Sequence, residues 1–216
     1  MPNLAMVLNS ATDVLLVIDL QNDFCPGGAL AVAGGDEIVP VVNLLARRFE
    51  HVVLTQDWHP PAHISFASAH PGTEPYQTVD TAEGAQTLWP DHCVQNTPGA
   101  AFHPLLDVPH AELILRKGFR RNIDSYSAFL ENDRTTPTGL AGYLRERGLK
   151  RLFVCGLAYD FCVRFSAIDG TALDFESLVI EDATRAVNLP DSVRATDQAF
   201  EEAGIQRIGV ADLLAG

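Results

Sequence analysis

The sequence predicts an α/β domain built on a six-stranded parallel sheet with helices on both faces. Two observations carry this. Short apolar runs recur along the chain, and segments with helical spacing stand between most of them. The runs are also nearly continuous in hydrophobicity, as in strands covered on both faces. The chain has 216 residues, 47% of them hydrophobic, which is enough for one full core. With no linker or internal repeat, residues 1–216 are read as a single domain.

The elements follow in order. "DVLLVID" (13–19) is the first strand. "DEIVPVVNLLARRFE" (36–50) has helical spacing, with Pro40 admissible only in the first turn or so. "HVVLTQ" (51–56) is the second strand and "AELILRK" (111–117) the third. "TPTGLAGYLRERG" (136–148) opens on Thr-Pro and stops on Gly, as a helix does. "KRLFVCG" (150–156) is a strand, "YDFCVRFSAIDGTALD" (159–174) a helix, and "ESLVIED" (176–182) a strand. "PDSVRATDQAFEEAG" (190–204) and "IQRIGV" (205–210) give a last helix and strand. Residues 57 to about 110 show no sustained period and are too long for an ordinary connection. They carry His59, His63, His70, His92, His103 and both tryptophans, so the segment is read as ordered and functional.

The formal net charge of −13 argues against nucleic acid or an anionic membrane as partner, since both select a cationic surface. The first residues show no secretory pattern, and no apolar run approaches the roughly 20 residues that span a bilayer. Four cysteines make no disulfide framework, and the expected compartment is the reducing cytoplasm. A homo-oligomer is compatible with the sequence, which does not specify one.

Open α/β sheets bind ligands beyond the carboxyl ends of their strands. Asp19 follows the first strand, Asp57 and His59 the second, Lys117 ends the third, and Cys162 lies in the helix start after the fourth. In the common doubly wound order the first and fourth strands are neighbours at the switch point, bringing Asp19 beside Cys162. A helix N-terminus and a nearby lysine are expected to lower the pKa of the thiol, with Asp19 taking its proton. Singly, each residue has a structural reading: a capping acid, a surface lysine, a core cysteine. Their convergence on one edge carries the functional one.

Asp57 and His59 suit Zn²⁺, Fe²⁺ or Mn²⁺ better than an acid–base pair. The residues leave the third ligand open among His92, Cys93 and His63.

The segments "VIDLQNDFCPGGAL", "TQDWHPPAHISFA", "LWPDHCVQNTPGAAFHP", "RKGFRRNIDSYSAF" and "VCGLAYDFCV" together resemble the nicotinamidases of the isochorismatase-like cysteine hydrolase superfamily, from about residue 13 to about 185. The resemblance implies Cys162 as nucleophile with Asp19 and Lys117 as its catalytic partners. It implies one divalent transition metal, zinc above iron or manganese, on Asp57, His59 and His92, with His63 near a position that supplies an additional ligand in some relatives. It implies a ring slot of Phe24, Trp89 and Tyr126, and an oxyanion hole of backbone N–H groups at Ala158 and Cys162 after a cis Leu157–Ala158 bond. The implied reaction is hydrolysis of nicotinamide to nicotinate and ammonia, in NAD salvage. The alternatives are another superfamily hydrolase, an isochorismatase or N-carbamoyl amidohydrolase, which generally lack the Asp-x-His and Trp-Pro-x-His pair, or a metal-containing binding module, which needs no nucleophile. Tyr159 departs from the small hydroxyl residue common at its position and is expected to face away from the pocket or to narrow substrate choice.

Overall fold

The computed structural model describes residues 6–214; the ends of the 1–216 span lie outside the described residues. Six parallel strands form one sheet: β1 (Asp13–Ile18), β2 (His51–Asp57), β5 (Leu113–Lys117), β6 (Arg151–Leu157), β7 (Glu176–Arg185) and β8 (Gln206–Ile208), in the order β5-β2-β1-β6-β7-β8. Two further strands, β3 (Thr78–Thr81) and β4 (Gly84–Thr87), make a separate antiparallel hairpin.

The period-2 geometry of β1 feeds two cores. Leu15 and Val17 pack with Val39, Val42 and Leu45 of α1 (Val39–Ala46) and Leu213 of α5 (Val210–Leu214). Val14, Leu16 and Ile18 pack with Leu140 and Leu144 of α2 (Leu140–Glu146), Ala167 of α3 (Arg164–Ala172) and Phe200 of α4 (Ser192–Ala203). All six residues of β1 are buried, which is why its sequence reads as an unbroken apolar run.

The chain leaves β1 for β2 and β5 on one side and occupies β6, β7 and β8 on the other, so the switch point lies between β1 and β6. There the backbones close up: at Gly156, with φ of +107°, a Cβ would stand 2.1 Å from the carbonyl oxygen of Ile18. No other residue fits that approach.

Several boundaries differ from the sequence reading. The helix expected over 159–174 begins as a widened π-helical turn, Tyr159–Val163, in which the carbonyl oxygen of Ala158 accepts from both Phe161 N and Val163 N at 3.1 Å. The helix expected from Thr136 starts at Leu140, because Gly139 turns through φ of 100° and Thr138 Oγ1 accepts from Leu140 N. The last strand is only three residues, and α5 takes over from Val210. The hairpin went unseen because its strands are largely exposed and carry no apolar alternation.

Candidate active site

The strand ends gather as expected. Asp19 caps β1 with φ of 45°, a left-handed turn that ends the strand and aims the carboxylate along the sheet edge. Asp57 is the last residue of β2, clamped by Gln21, whose Oε1 accepts from Asp57 N and whose Nε2 donates to Asp57 O. Lys117 ends β5, and Cys162 sits in the π-helical turn after β6.

All four are buried. Lys117 Nζ lies 2.8 Å from Asp19 Oδ2, 3.0 Å from Ser125 O and 3.3 Å from Cys162 Sγ, and it also donates to Asp57 Oδ1. Thr55 Oγ1 donates to Asp19 Oδ1 at 2.6 Å. Asp19 Oδ2, although ion-paired with the lysine, has no aligned hydrogen-bond donor, so it keeps a lone pair open to a proton.

Burial pushes Asp19 up to about 6, with Lys117 holding it from rising further. The lysine stays charged, since two carboxylates outweigh its burial. The thiol of Cys162 corrects the sequence reading. Burial raises it well above its ordinary range, and Asp19 and Asp57 add to the rise against Lys117. The resting group is therefore the neutral thiol, and ionisation requires direct transfer of its proton to a neighbouring base.

Beside this triad stand His59 and His92. The 58–59 segment is tied to Lys117 by Trp58 N, and to the 93–95 segment by His59 N→Cys93 O and Gln95 N→His59 O. Asp57 Oδ2 is 3.5 Å from His59 Nε2 and 3.9 Å from His92 Nε2. The outer nitrogens face carbonyls: His59 Nδ1 donates to Gly118 O at 2.9 Å and His92 Nδ1 to Pro90 O at 2.8 Å. This fixes the tautomers that turn both Nε2 lone pairs inward. Tetrahedral bonds of 2.0–2.1 Å put ligand atoms about 3.3 Å apart, so this buried N₂O set fits a divalent ion. Gly118 serves the same site: with φ of +64°, a Cβ there would meet His59 Cε1 at 2.4 Å.

His63 stacks on His59 at 4.3 Å, but Nδ1 faces Ser65 Oγ at 2.7 Å and Nε2 faces Ile123 O at 3.2 Å. Another metal-capable grouping unites it with His59 and Asp124. Both of its nitrogens already have partners, so the Asp57–His59–His92 set is the better prepared. The grouping of Asp19, Asp57 and Cys162 is already filled by the Lys117 ammonium.

Above these groups opens a cavity walled largely by apolar and aromatic side chains, the kind of lining a small-molecule site needs. Phe24, Trp89, Tyr126, Ala158 and Cys162 all line it, as the sequence reading expected. Leu157 does not; its side chain packs in the core shared with α1, and its part in the site is the cis bond to Ala158. Tyr159 turns away, its hydroxyl donating to Asp197 Oδ1 and its ring packing edge-on against Phe200, so it is no wall of the slot.

Sequence reasoning missed Phe161, whose ring stands at 88° to Trp89 with centroids 4.8 Å apart, as well as Leu30, Asp124 and Val187. Phe161 directly precedes Cys162, and that adjacency was the available signal. Leu30 and Val187 lie in irregular segments without one.

Comparison with known proteins agrees with this geometry. The family model described as "Isochorismatase domain" matches residues 13–209. The nicotinamidase of Acinetobacter baylyi is 52% identical over 200 residues, covering 93% of this chain and 94% of that one. The solved nicotinamidase/pyrazinamidase of Acinetobacter baumanii superposes with a TM-score of 0.94 at 52% identity, covering 94% of this chain and 99% of the other. The pyrazinamidase of Pyrococcus horikoshii, solved in complex with zinc, superposes with a TM-score of 0.74 at 37% identity over 91% and 98% of the two chains.

Proposed function

The chain belongs to the isochorismatase family and within it to the nicotinamidase group of amidohydrolases, and on that premise we propose that it hydrolyses nicotinamide to nicotinate and ammonia through a thioester on Cys162. The observation that carries this reading is the buried ammonium of Lys117, 2.8 Å from Asp19 Oδ2 and 3.3 Å from the Sγ of Cys162, which lines the aromatic slot.

The steps follow from the groups in place. Asp19 takes the proton from Cys162 Sγ, and Lys117 stabilises the thiolate that forms. Sulfur attacks the carboxamide carbon while the N–H groups of Ala158 and Cys162 receive the oxyanion. Asp19 returns the proton to the departing ammonia, leaving the thioester. It then accepts a proton from the attacking water, and the thiolate is expelled and reprotonated as nicotinate leaves. The aromatic walls hold the ring flat and exclude water from the sulfur.

Asp57, His59 and His92 would hold a divalent ion, with zinc favoured by the donor set and by the zinc in the Pyrococcus relative. When bound, that ion supplies a Lewis-acidic anchor for the pyridine nitrogen. Residues 1–216 are taken as one domain, and the setting as NAD salvage in the cytoplasm; no helix among the described residues is long and apolar enough to cross a membrane.

Ammonia release from nicotinamide by purified, zinc-supplemented protein tests the reading. Turnover that falls on chelation and returns with Zn²⁺, Mn²⁺ or Fe²⁺ is the expected result. No ammonia from nicotinamide under any metal condition would overturn it.

A further inference from the structure

The hairpin of β3 and β4 lies outside the sheet and is largely solvent-exposed, yet one of its polar side chains, Gln86, is only 1% exposed. Its Nε2 lies 3.0 Å from Asp124 Oδ2, 3.0 Å from Tyr126 Oη and 2.7 Å from Thr87 O. Its Oε1 faces Asn132 Nδ2 at 3.5 Å, and Asn132 Oδ1 in turn accepts from Tyr126 N at 3.1 Å. A carboxylate and a carbonyl offer only lone pairs, so the amide must present its nitrogen to them, and its orientation is determined by the network.

Tyr126 Oη also accepts from Trp89 Nε1 at 3.1 Å. The phenol oxygen thus takes an N–H from a slot wall and, from the hairpin, shares with Asp124 Oδ2 and Thr87 O the two amide hydrogens of Gln86. Trp89, Tyr126 and Asp124 all line the slot, whereas Gln86 stands behind it. Trp89 and Tyr126 meet edge-on at 88° with centroids 6.4 Å apart, and the polar contacts to the phenol oxygen add a directional restraint to that ring packing.

We infer that Gln86 is a positioning residue for substrate binding: acting through Tyr126 Oη, it holds Tyr126 and Trp89 at the separation that grips the pyridine ring. This rests on the nicotinamidase reading above. It touches neither sulfur nor carboxamide, so it acts on ring binding and not on the bond-breaking steps.

A double-mutant cycle on the full-length, metal-loaded enzyme tests it. Gln86→Met keeps the length of the side chain and removes its amide. It should raise KM for nicotinamide about 3- to 10-fold, the range spanned by losing the one neutral hydrogen bond to Tyr126 Oη, with kcat changed by less than about 2-fold. Tyr126→Phe removes the shared oxygen, so adding Gln86→Met to it should move KM by less than about 2-fold further. Gln86→Asn, which withdraws the amide by one methylene, runs the same cycle if Gln86→Met does not fold. An unchanged KM in the single variant, a loss confined to kcat, or full multiplicative effects in the double variant would overturn the inference while the parent still released ammonia. A parent that releases none would instead overturn the reading beneath it.

Discussion

Replacing Thr55 by Val should move the acid limb of the pH–rate profile. Thr55 Oγ1 donates to Asp19 Oδ1 at 2.6 Å and accepts from Asp19 N at 3.1 Å. The first bond favours the ionised carboxylate, so its removal favours the protonated one. A hydrogen bond to a charged group contributes about 1.5–3 kcal/mol, and one pKa unit corresponds to about 1.36 kcal/mol, so the shift is roughly 1–2 units. Asp19 starts near 6 because burial raises it, and the variant should therefore titrate near about 7–8 by the same arithmetic. Asp19 acts as base only when ionised, so kcat/KM should fall on acidification through about 6 in the parent and at correspondingly higher pH in the variant. Thr55→Ser, which keeps the hydroxyl, should restore the parent limb. Loss of the acceptor for Asp19 N should also lower unfolding stability by about 1–3 kcal/mol, read in urea independently of the limb. A folded Thr55→Val enzyme whose acid limb had not moved would show that Asp19 is not the titrating base.

Two other substitutions probe the charges. Lys117→Met leaves Asp19 and Asp57 buried without their cation, a loss of about 3–5 kcal/mol, or roughly 6–20 °C in Tm for a chain of this size. Burial raises Asp19 above its unfolded value, so the variant is stabilised by protonation at low pH and loses that stability as pH rises. Its deficit in thermal melts should be smaller near about pH 5 than near about pH 8, and a deficit under about 1 kcal/mol would contradict the buried-pair argument. His92→Ala should lower metal content by elemental analysis and raise KM while Cys162 remains open to alkylation; undiminished metal content would remove His92 from the ligand set.

The sheet was legible because buried parallel strands write themselves as apolar runs, and the site was legible because Asp19, Asp57 and Lys117 interrupt or end those runs. The electrostatics were less so. Lys117 was expected to serve Asp19 and the thiol, but register places it opposite Asp57 on the neighbouring strand, so it also grips a candidate metal ligand. The thiol was expected to be acidified by a helix N-terminus; the turn there is π-helical, and burial beside two carboxylates outweighs it. Gln86 and the hairpin were invisible because neither periodicity nor composition marks a polar residue whose burial depends on Asp124 and Tyr126, about 40 residues further along the chain.

The central claim is that Cys162 attacks the carboxamide, and the most direct measurement compares ammonia release by Cys162→Ala and Cys155→Ala. Both thiols are buried, but Cys155 lies within β6, in the core shared with α1, while Cys162 lines the slot 3.3 Å from Lys117 Nζ. Removing the nucleophile should reduce kcat by at least roughly 10⁴-fold with the fold intact. Removing the core thiol should leave kcat near that of the parent and lower stability by about 1 kcal/mol. A folded Cys162→Ala enzyme that kept near-normal kcat would contradict the account.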